Sequence, residues 1–137
     1  MHLSQILSLA ALSTAVSAVT VSYDPGYDER GRSLNRVACS DGSNGLIRKG
    51  WNTQGDIPMF PNIGGAQAIA GWNSPNCGTC WKLEYGGRNI KVLAIDHADA
   101  GFNIAESAMN TLTDGQARQL GRIEAQVTQL TPKDCGI

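Results

Sequence analysis

The sequence lacks an excess of charge of either sign. It contains 11 Lys and Arg residues against 12 Asp and Glu residues, which gives a formal net charge of −1. Because attraction to phosphate groups depends on a basic excess, this balance provides no electrostatic drive toward nucleic acid or an anionic membrane surface. We therefore expect neither as a partner.

Histidine is scarce as well. The sequence has two histidines, His2 and His97. One histidine beyond the N-terminal region cannot build a metal site, so we expect no metal and no cofactor. No serine or cysteine nucleophile motif accompanies His97, and we interpret it as a polar neighbour and not as a general base. The Asn-x-Ser/Thr acceptor pattern is also missing, so no N-linked glycan is expected.

Long apolar runs are absent apart from one, at residues 6–16. It is too short to span a bilayer as a helix. The small residues at 16–18 follow it and are typical of a cleavage site, so we predict a secretory signal peptide over residues 1–18. The alternative is a buried N-terminal helix. Residues 19–137 are then one secreted, extracellular domain, since that length suits a single core.

Alternation of apolar and polar residues predicts a β-rich domain with short helices. The clearest signal is a hairpin, with strands at 81–85 and 89–95 joined by the Gly86-Gly87 turn. Further strands are predicted at 19–23, 36–39 and 123–128. Short helices are predicted at 64–71, 105–112 and 117–120, the last preceded by a capping-box pair, Thr113 and Gln116.

The chain has four cysteines, at positions 39, 77, 80 and 135. The pair at 77 and 80 has the spacing of a thioredoxin-type redox motif or of half a zinc site. Both of these alternatives fit an intracellular protein better than a secreted one. Two structural disulfides are therefore favoured, and three pairings are open.

Carboxylates beside glycines or strand ends are candidates for facing a groove. They are Asp24, Asp41, Asp96 and Asp99. Asp24 and Asp96 are one candidate pair for a glycosidase, which needs a proton donor and a base or nucleophile across the scissile bond. Each carboxylate taken singly is better explained as a solvated turn residue. Asp96 is the hardest to dismiss, because it ends an apolar strand beside His97.

Aromatic side chains could provide flat faces for sugar rings. The candidates are Trp51, Trp72, Trp81, Tyr23 and Tyr27. We expect Trp81 to be buried, because it lies on the inward phase of a strand. Trp72 is evenly balanced between core and rim. Tyr23 and Tyr27 flank a turn and are expected to be more exposed.

Five segments closely resemble the cerato-platanin family of small secreted fungal proteins. They match in order over nearly all of residues 19–137, with the four cysteines in place: SYD at 22–24, VACS at 37–40, FPNIGG at 60–65, IAGWNSPNCGTCW at 69–81 and GFN at 101–103. The resemblance implies a six-stranded double-psi β-barrel related to the first domain of expansins. It also implies the disulfides Cys39–Cys77 and Cys80–Cys135.

The same resemblance implies a non-hydrolytic protein that binds chitin-type N-acetylglucosamine oligomers. It further implies loosening of cell-wall polysaccharide, perception by the plant cell surface as an elicitor of defence, and self-association. The family pattern maps onto a shallow groove, and the candidate carbohydrate-binding residues are Tyr23, Asp24, Ser40, Asp41, Gly42, Asp96 and His97. This sequence departs from the family's Asp-Ser-Gly, because it has Asp96, His97 and Ala98 there.

Three functions compete at this point. The first is a binding module for polysaccharide, with no catalytic residue. The second is a weak glycoside hydrolase that uses Asp24 and Asp96. The third is a surface-active structural protein of the fungal cell wall. A shared fold does not decide between them, because function depends on the site.

Overall fold

The computed structural model describes residues 16–137, and six strands form a closed barrel in it. The strands are β1 (Ser17–Tyr23), β2 (Ile63–Ala66), β3 (Cys80–Tyr85), β4 (Arg88–His97), β5 (Phe102–Ile104) and β6 (Arg122–Leu130). Their order around the barrel is β1-β5-β2-β4-β3-β6. The predicted six-stranded, β-rich fold is confirmed. The predicted signal peptide lies mostly outside the described residues, since only its last three residues are included.

Helical segments are short. Two α-helices follow β5, α1 (Glu106–Thr113) and α2 (Ala117–Leu120), and five 3-10 turns occur in the loops and at the C-terminal end: Pro25–Asp28, Leu34–Arg36, Leu46–Lys49, Gln54–Asp56 and Pro132–Cys135. Within residues 16–137, no helix has the length and apolar character needed to cross a membrane.

The longer antiparallel strands of the barrel coincide with the segments in which apolar and polar residues alternate. β3 and β4 form the predicted hairpin around the Gly86-Gly87 turn, where both glycines have positive φ. β6 pairs with β1 and β3, and its alternate residues Ile123, Ala125 and Val127 are buried. Alternation identified these strands because one face of each packs on the core.

The predicted helix at 64–71 is wrong, because Ile63–Ala66 is strand β2 and residues 67–71 form a turn and loop. β2 runs parallel to β4 and antiparallel to β5, and all four of its residues are buried. A Cβ atom on Gly64 would lie 2.4 Å from the carbonyl oxygen of Asn103, and one on Gly65 would lie 2.7 Å from that of His97. The glycines therefore allow the strands to approach closely. The helix prediction at 64–71 did not account for this role of the glycines.

The predicted strand at 36–39 is also wrong. Residues 34–36 form a 3-10 turn, and residues 37–40 form a bent loop that belongs to no strand. Backbone groups of this loop bond to the end of β4, because the Ala38 N–H donates to the Asp96 carboxylate and the Cys39 N–H donates to the Ile95 carbonyl. Because these N–H groups already donate hydrogen bonds, they need no partner in a neighbouring strand.

Trp81 is half-buried, so the prediction of a core position is wrong. The fully buried residues of β3 are Cys80 and Leu83. The Trp81 indole packs edge-to-face on Phe102, with ring centroids 5.6 Å apart, and its Nε1–H donates to Thr79 Oγ1 at 2.8 Å. A tryptophan at the barrel surface keeps its polar N–H bonded in this way.

The predicted helix at 105–112 is observed as α1, shifted by one residue. The predicted capping box before α2 is only half formed. Thr113 Oγ1 accepts a hydrogen bond from the Gln116 N–H at 3.2 Å, but Asn110 Oδ1 accepts the Ala117 N–H at 2.9 Å and supplies the N-terminal bond of α2.

Two disulfides close the structure. They join Cys39 to Cys77 and Cys80 to Cys135, as the family resemblance implies. The first links the 37–40 loop to the loop between β2 and β3, and the second links the start of β3 to the C-terminal 3-10 turn. Every cysteine of the sequence is paired, so no thiol is available for redox or zinc chemistry.

Candidate functional site

Asp96 connects three parts of the chain at the end of β4. Its Oδ2 accepts a hydrogen bond from the Tyr27 hydroxyl at 2.8 Å, and its Oδ1 accepts from the backbone N–H groups of Ala38 and His97, each at 2.9 Å. The side chain is half-buried. This carboxylate therefore holds the Pro25–Asp28 turn and the 37–40 loop against the barrel.

Tyr27 is buried, at 4% exposure, so the expectation of an exposed ring is wrong. Its hydroxyl reaches Asp96, and the guanidinium of Arg32 lies over its ring, 5.4 Å from the centroid. Burial, followed by the charge of Asp96, raises the pKa of Tyr27 far above its ordinary value. The phenol therefore remains a hydrogen-bond donor to Asp96 across the physiological pH range.

Asp24 lies at the start of the same 3-10 turn. It is exposed, and its Oδ1 accepts the Gly26 N–H at 2.8 Å as the N-cap. Tyr23, which precedes it, is half-buried and contributes, after Glu106, to the raised pKa of Arg118. Tyr23 is therefore near α2, whereas Asp24 belongs to the turn that carries Tyr27.

The loop at residues 40–42 carries the other predicted polar positions. Ser40 is buried at 6% exposure, and its Oγ lies 3.4 Å from Asp41 Oδ1. Asp41 is exposed, and the same oxygen accepts the indole N–H of Trp72 at 2.9 Å. This indole bond is the main cause that lowers the pKa of Asp41 below its ordinary value. Gly42 is buried against the side chain of Asn73.

The ring of His97 has partners other than Asp96, to which only its backbone N–H is bonded. Nδ1 lies 2.6 Å from the Ile69 carbonyl oxygen and Nε2 lies 3.0 Å from Asp99 Oδ1. The ring lines an open cleft of about 370 Å³, together with the polar residues Ser22, Asp99, Asn103 and Arg122. The Ile69 carbonyl first, and then Asp99, raise the pKa of His97.

The structure thus brings most of the predicted residues into two connected groups. Asp96 joins Asp24's turn to the 37–42 loop, and Asp41 joins that loop to Trp72. Three contributors were not among the predicted site residues: Tyr27, Trp72 and the Ala38 N–H. The first two were visible as candidate aromatics, but a backbone N–H leaves no signal in a sequence. Among the described residues, no group of three or more His, Cys, Asp or Glu side chains is arranged to hold a metal ion.

A family model described as Cerato-platanin matches residues 19–137. The chain belongs to the cerato-platanin family. It is 56% identical over 117 residues to Allergen Asp f 15 of Aspergillus fumigatus, which covers 85% of this chain and 76% of that protein. It is 50% identical over 133 residues to the Allergen Asp f 15 homolog of Arthroderma benhamiae, covering 96% of this chain. The chain spans 64% of the length of that second relative.

Solved cerato-platanins have the same fold. The crystal structure of cerato-platanin 2 from M. perniciosa is 44% identical, covers 88% of this chain and 100% of its own, and superposes with a TM-score of 0.85. The solution structure described as the fungal elicitor Cerato-Platanin is 39% identical, covers 85% of this chain and 96% of its own, and gives a TM-score of 0.78. The closed barrel is therefore the family fold.

Proposed function

We propose that this cerato-platanin is a secreted, non-catalytic protein that binds N-acetylglucosamine-type polysaccharide in a shallow groove. We assign to this groove Asp24, Ser40, Asp41, Gly42 and Asp96, together with Tyr23 and His97. Loosening of cell-wall polysaccharide and perception by plant cells follow from this binding in our proposal. The word elicitor in the description of one solved relative supports the last part.

The observation that carries the proposal is the bonding of Asp96. Both of its oxygens accept hydrogen bonds from the protein itself. A carboxylate in this position organises the groove and offers its remaining acceptor capacity to a sugar hydroxyl. Asp24 likewise acts as a cap for its own turn. Three donors of the protein occupy the Asp96 carboxylate, so this member of the candidate catalytic pair is not arranged as a free acid or base, which favours binding over hydrolysis.

The third alternative, a surface-active structural protein of the fungal cell wall, has less support. The large hydrophobic side chains exposed within residues 16–137 are Val16, Trp72 and Leu120. Val16 precedes residue 19, where the proposed secreted protein begins, which leaves one tryptophan and one leucine, and single exposed apolar side chains are ordinary on protein surfaces. We therefore rank polysaccharide binding first.

An NMR titration tests the proposal. ¹⁵N-labelled protein, beginning at residue 19, is titrated with an N-acetylglucosamine hexamer. We expect backbone shifts clustered at residues 24–27, 38–42 and 96–97. Asp96→Asn keeps the side-chain shape and removes the charge, and we expect it to weaken binding several-fold. Glu124→Gln, which changes an exposed carboxylate on β6, is the matched control and should bind as the wild type does.

Two results would contradict the proposal. Absence of any shift at millimolar concentrations of the hexamer would rule out the proposed carbohydrate binding. New reducing ends during long incubation with the hexamer, abolished in Asp96→Asn, would establish the hydrolase alternative instead.

A further inference from the structure

Trp72 is the largest side chain that the described part of the chain leaves open to solvent, at 64% exposure. Single exposed hydrophobic residues are common on protein surfaces, so exposure alone indicates nothing. What distinguishes Trp72 is that one edge of its ring is fixed. The indole Nε1–H donates to Asp41 Oδ1 at 2.9 Å, while most of the side chain remains exposed to solvent.

The loops that carry Trp72 and Asp41 are held together at several points. The side-chain oxygen of Asn73 accepts the Asn44 N–H at 2.7 Å, and the Asn44 side-chain amide donates to the Asn73 carbonyl at 3.1 Å. Gly42 packs so closely on Asn73 that a Cβ atom there would lie 2.4 Å from Asn73 Oδ1. The Cys39–Cys77 disulfide joins the same two loops.

The backbone next to Trp72 is itself constrained. Asn73 has φ = 61°, in the left-handed region that non-glycine residues adopt rarely. Such a conformation persists where the surroundings determine it, and here the Asn44 hydrogen bonds do so. The indole is therefore presented by a rigid segment and not by a loose loop.

The loops that carry Trp72 and Asp41 continue the proposed groove. Asp41 follows Ala38 by three residues, so the two Cα atoms are at most roughly 11 Å apart. Ala38 is bonded directly to Asp96. An oligosaccharide that contacts Asp96 is thus within one short loop of Asp41, whose carboxylate accepts the Trp72 indole N–H.

We infer that the exposed face of the Trp72 indole, held by Asp41, is a stacking subsite for one pyranose ring of a bound oligosaccharide. This inference rests on the proposed function and names a contact within it. The apolar C–H face of a sugar ring suits an aromatic plane, while its hydroxyls suit the neighbouring Asp41 and Asn73. An indole fixed before binding loses little conformational freedom when the sugar arrives, which favours affinity.

A second copy of the chain fits the surface less well. Stable protein interfaces bury about 800 Å² per partner around an apolar centre. The Trp72 indole is bonded to Asp41, and Asn73, the next residue in the chain, is bonded to Ser43 and Asn44. One indole among polar groups matches a sugar, which has both kinds of surface on each ring.

The test compares four proteins by calorimetric titration with the N-acetylglucosamine hexamer: the wild type, Trp72→Ala, Trp72→Phe and Leu120→Ala. Stacking of a nucleobase on an aromatic side chain changes affinity by about tenfold or more. By analogy we expect a loss of about tenfold in Trp72→Ala. Trp72→Phe keeps a flat ring but loses the bond to Asp41, so its loss should be smaller. Leu120→Ala, which removes another exposed apolar side chain, should bind as the wild type does.

The indole N–H signals give a direct readout in the same titration. The protein has three tryptophans, and the signal missing from Trp72→Phe identifies Trp72. We expect this signal to shift with the hexamer more than those of Trp51 and Trp81, which are half-buried. Because Trp72 is exposed, Trp72→Ala should retain the wild-type backbone spectrum, which excludes misfolding as the cause of weaker binding.

The outcomes separate this inference from the proposed function. Wild-type affinity in Trp72→Ala, with shifts still present around Asp96, would overturn the stacking subsite and leave the groove. A wild type that does not bind the hexamer would overturn both. A dimer in sedimentation experiments that disappears in Trp72→Ala, with unchanged sugar affinity, would assign the ring to self-association and overturn the inference.

Discussion

His97 has a hydrogen-bond acceptor opposite each ring nitrogen. A neutral imidazole has one N–H, so it can donate to only one of the Ile69 carbonyl and the Asp99 carboxylate. Both bonds form together only in the imidazolium. Asp99 and, more weakly, Asp96 are the charged groups that raise its pKa after the Ile69 carbonyl. The protonated ring therefore ties the segment after β2 to the segment after β4.

We predict that the pKa of His97 lies above the ordinary value of about 6.5. A folded-state pKa that is raised above the unfolded value adds stability that is complete below the unfolded pKa and is lost as pH rises through the folded pKa. The stability of the wild type relative to His97→Gln should therefore decrease as pH rises above about 6.5 and through the folded-state pKa. Because the ring is 43% exposed, salt should reduce the effect.

NMR titration of the ring protons measures this pKa directly. His97 is the only histidine in residues 19–137, so one titrating ring is expected in a protein that begins at residue 19. Asp99→Asn should lower the pKa, while Glu124→Gln should leave it unchanged. A wild-type pKa at or below 6.5 would mean that the two acceptors do not hold the charged ring.

The sequence singles out the charged residues of the candidate site but not their arrangement. Asp96 and Asp41 were recognisable as carboxylates beside a strand end or a glycine, whereas His97 entered the candidate groove through the family resemblance. Tyr27 was misjudged because a tyrosine beside a turn is usually exposed, and its burial depends on an acceptor 69 residues away. Long-range partners of this kind are set by the fold and leave no local pattern.

Among the elements, β2 shows most clearly where local patterns are insufficient. Its IGGA sequence has little strand propensity, and the glycines are typical of a loop or a helix end. It forms a strand because β4 and β5 lie on both sides and leave no space for a Cβ atom. β5 was missed entirely, since its three residues are too few for a periodicity. The longer β1, β3, β4 and β6 were predictable because alternation extends over several residues.

We predict that Gly64→Ala destabilises the barrel by about 1–3 kcal/mol or prevents folding. The added Cβ would lie 2.4 Å from the Asn103 carbonyl oxygen and 2.6 Å from Ile104 Cα, and neither backbone atom can move without disturbing β5. Chemical denaturation measures the change. Gly31→Ala is the matched control, because nothing lies within 4 Å of its added Cβ. Equal stability of the two variants would show that β2 and β5 are not packed as closely as described.

At the scale of the whole molecule, the two disulfides constrain different parts of the chain. Cys80–Cys135 fixes the C-terminal turn to β3 and closes a separation of 55 residues. Cys39–Cys77 spans 38 residues and joins the two loops that carry Asp41 and Trp72. Chain-entropy arguments give each bond a similar contribution of about 4 kcal/mol, as an upper figure. Their effect on stability should therefore be alike, whereas their effect on binding should differ.

We predict that the double substitutions Cys39→Ala with Cys77→Ala and Cys80→Ala with Cys135→Ala both lower the free energy of unfolding by about 2–4 kcal/mol. Only the first should also weaken binding of the N-acetylglucosamine hexamer, because it frees the loops that hold the Trp72–Asp41 pair. Guanidinium unfolding and calorimetric titration, both at a temperature where each variant is folded, measure the two effects separately. An equal loss of affinity in the two variants would mean that binding follows global stability, and that the loops near Trp72 are not specifically held by their disulfide. Loss of affinity confined to the variant without the Cys39–Cys77 bond would show that this disulfide holds the Trp72 indole in the geometry that binding requires.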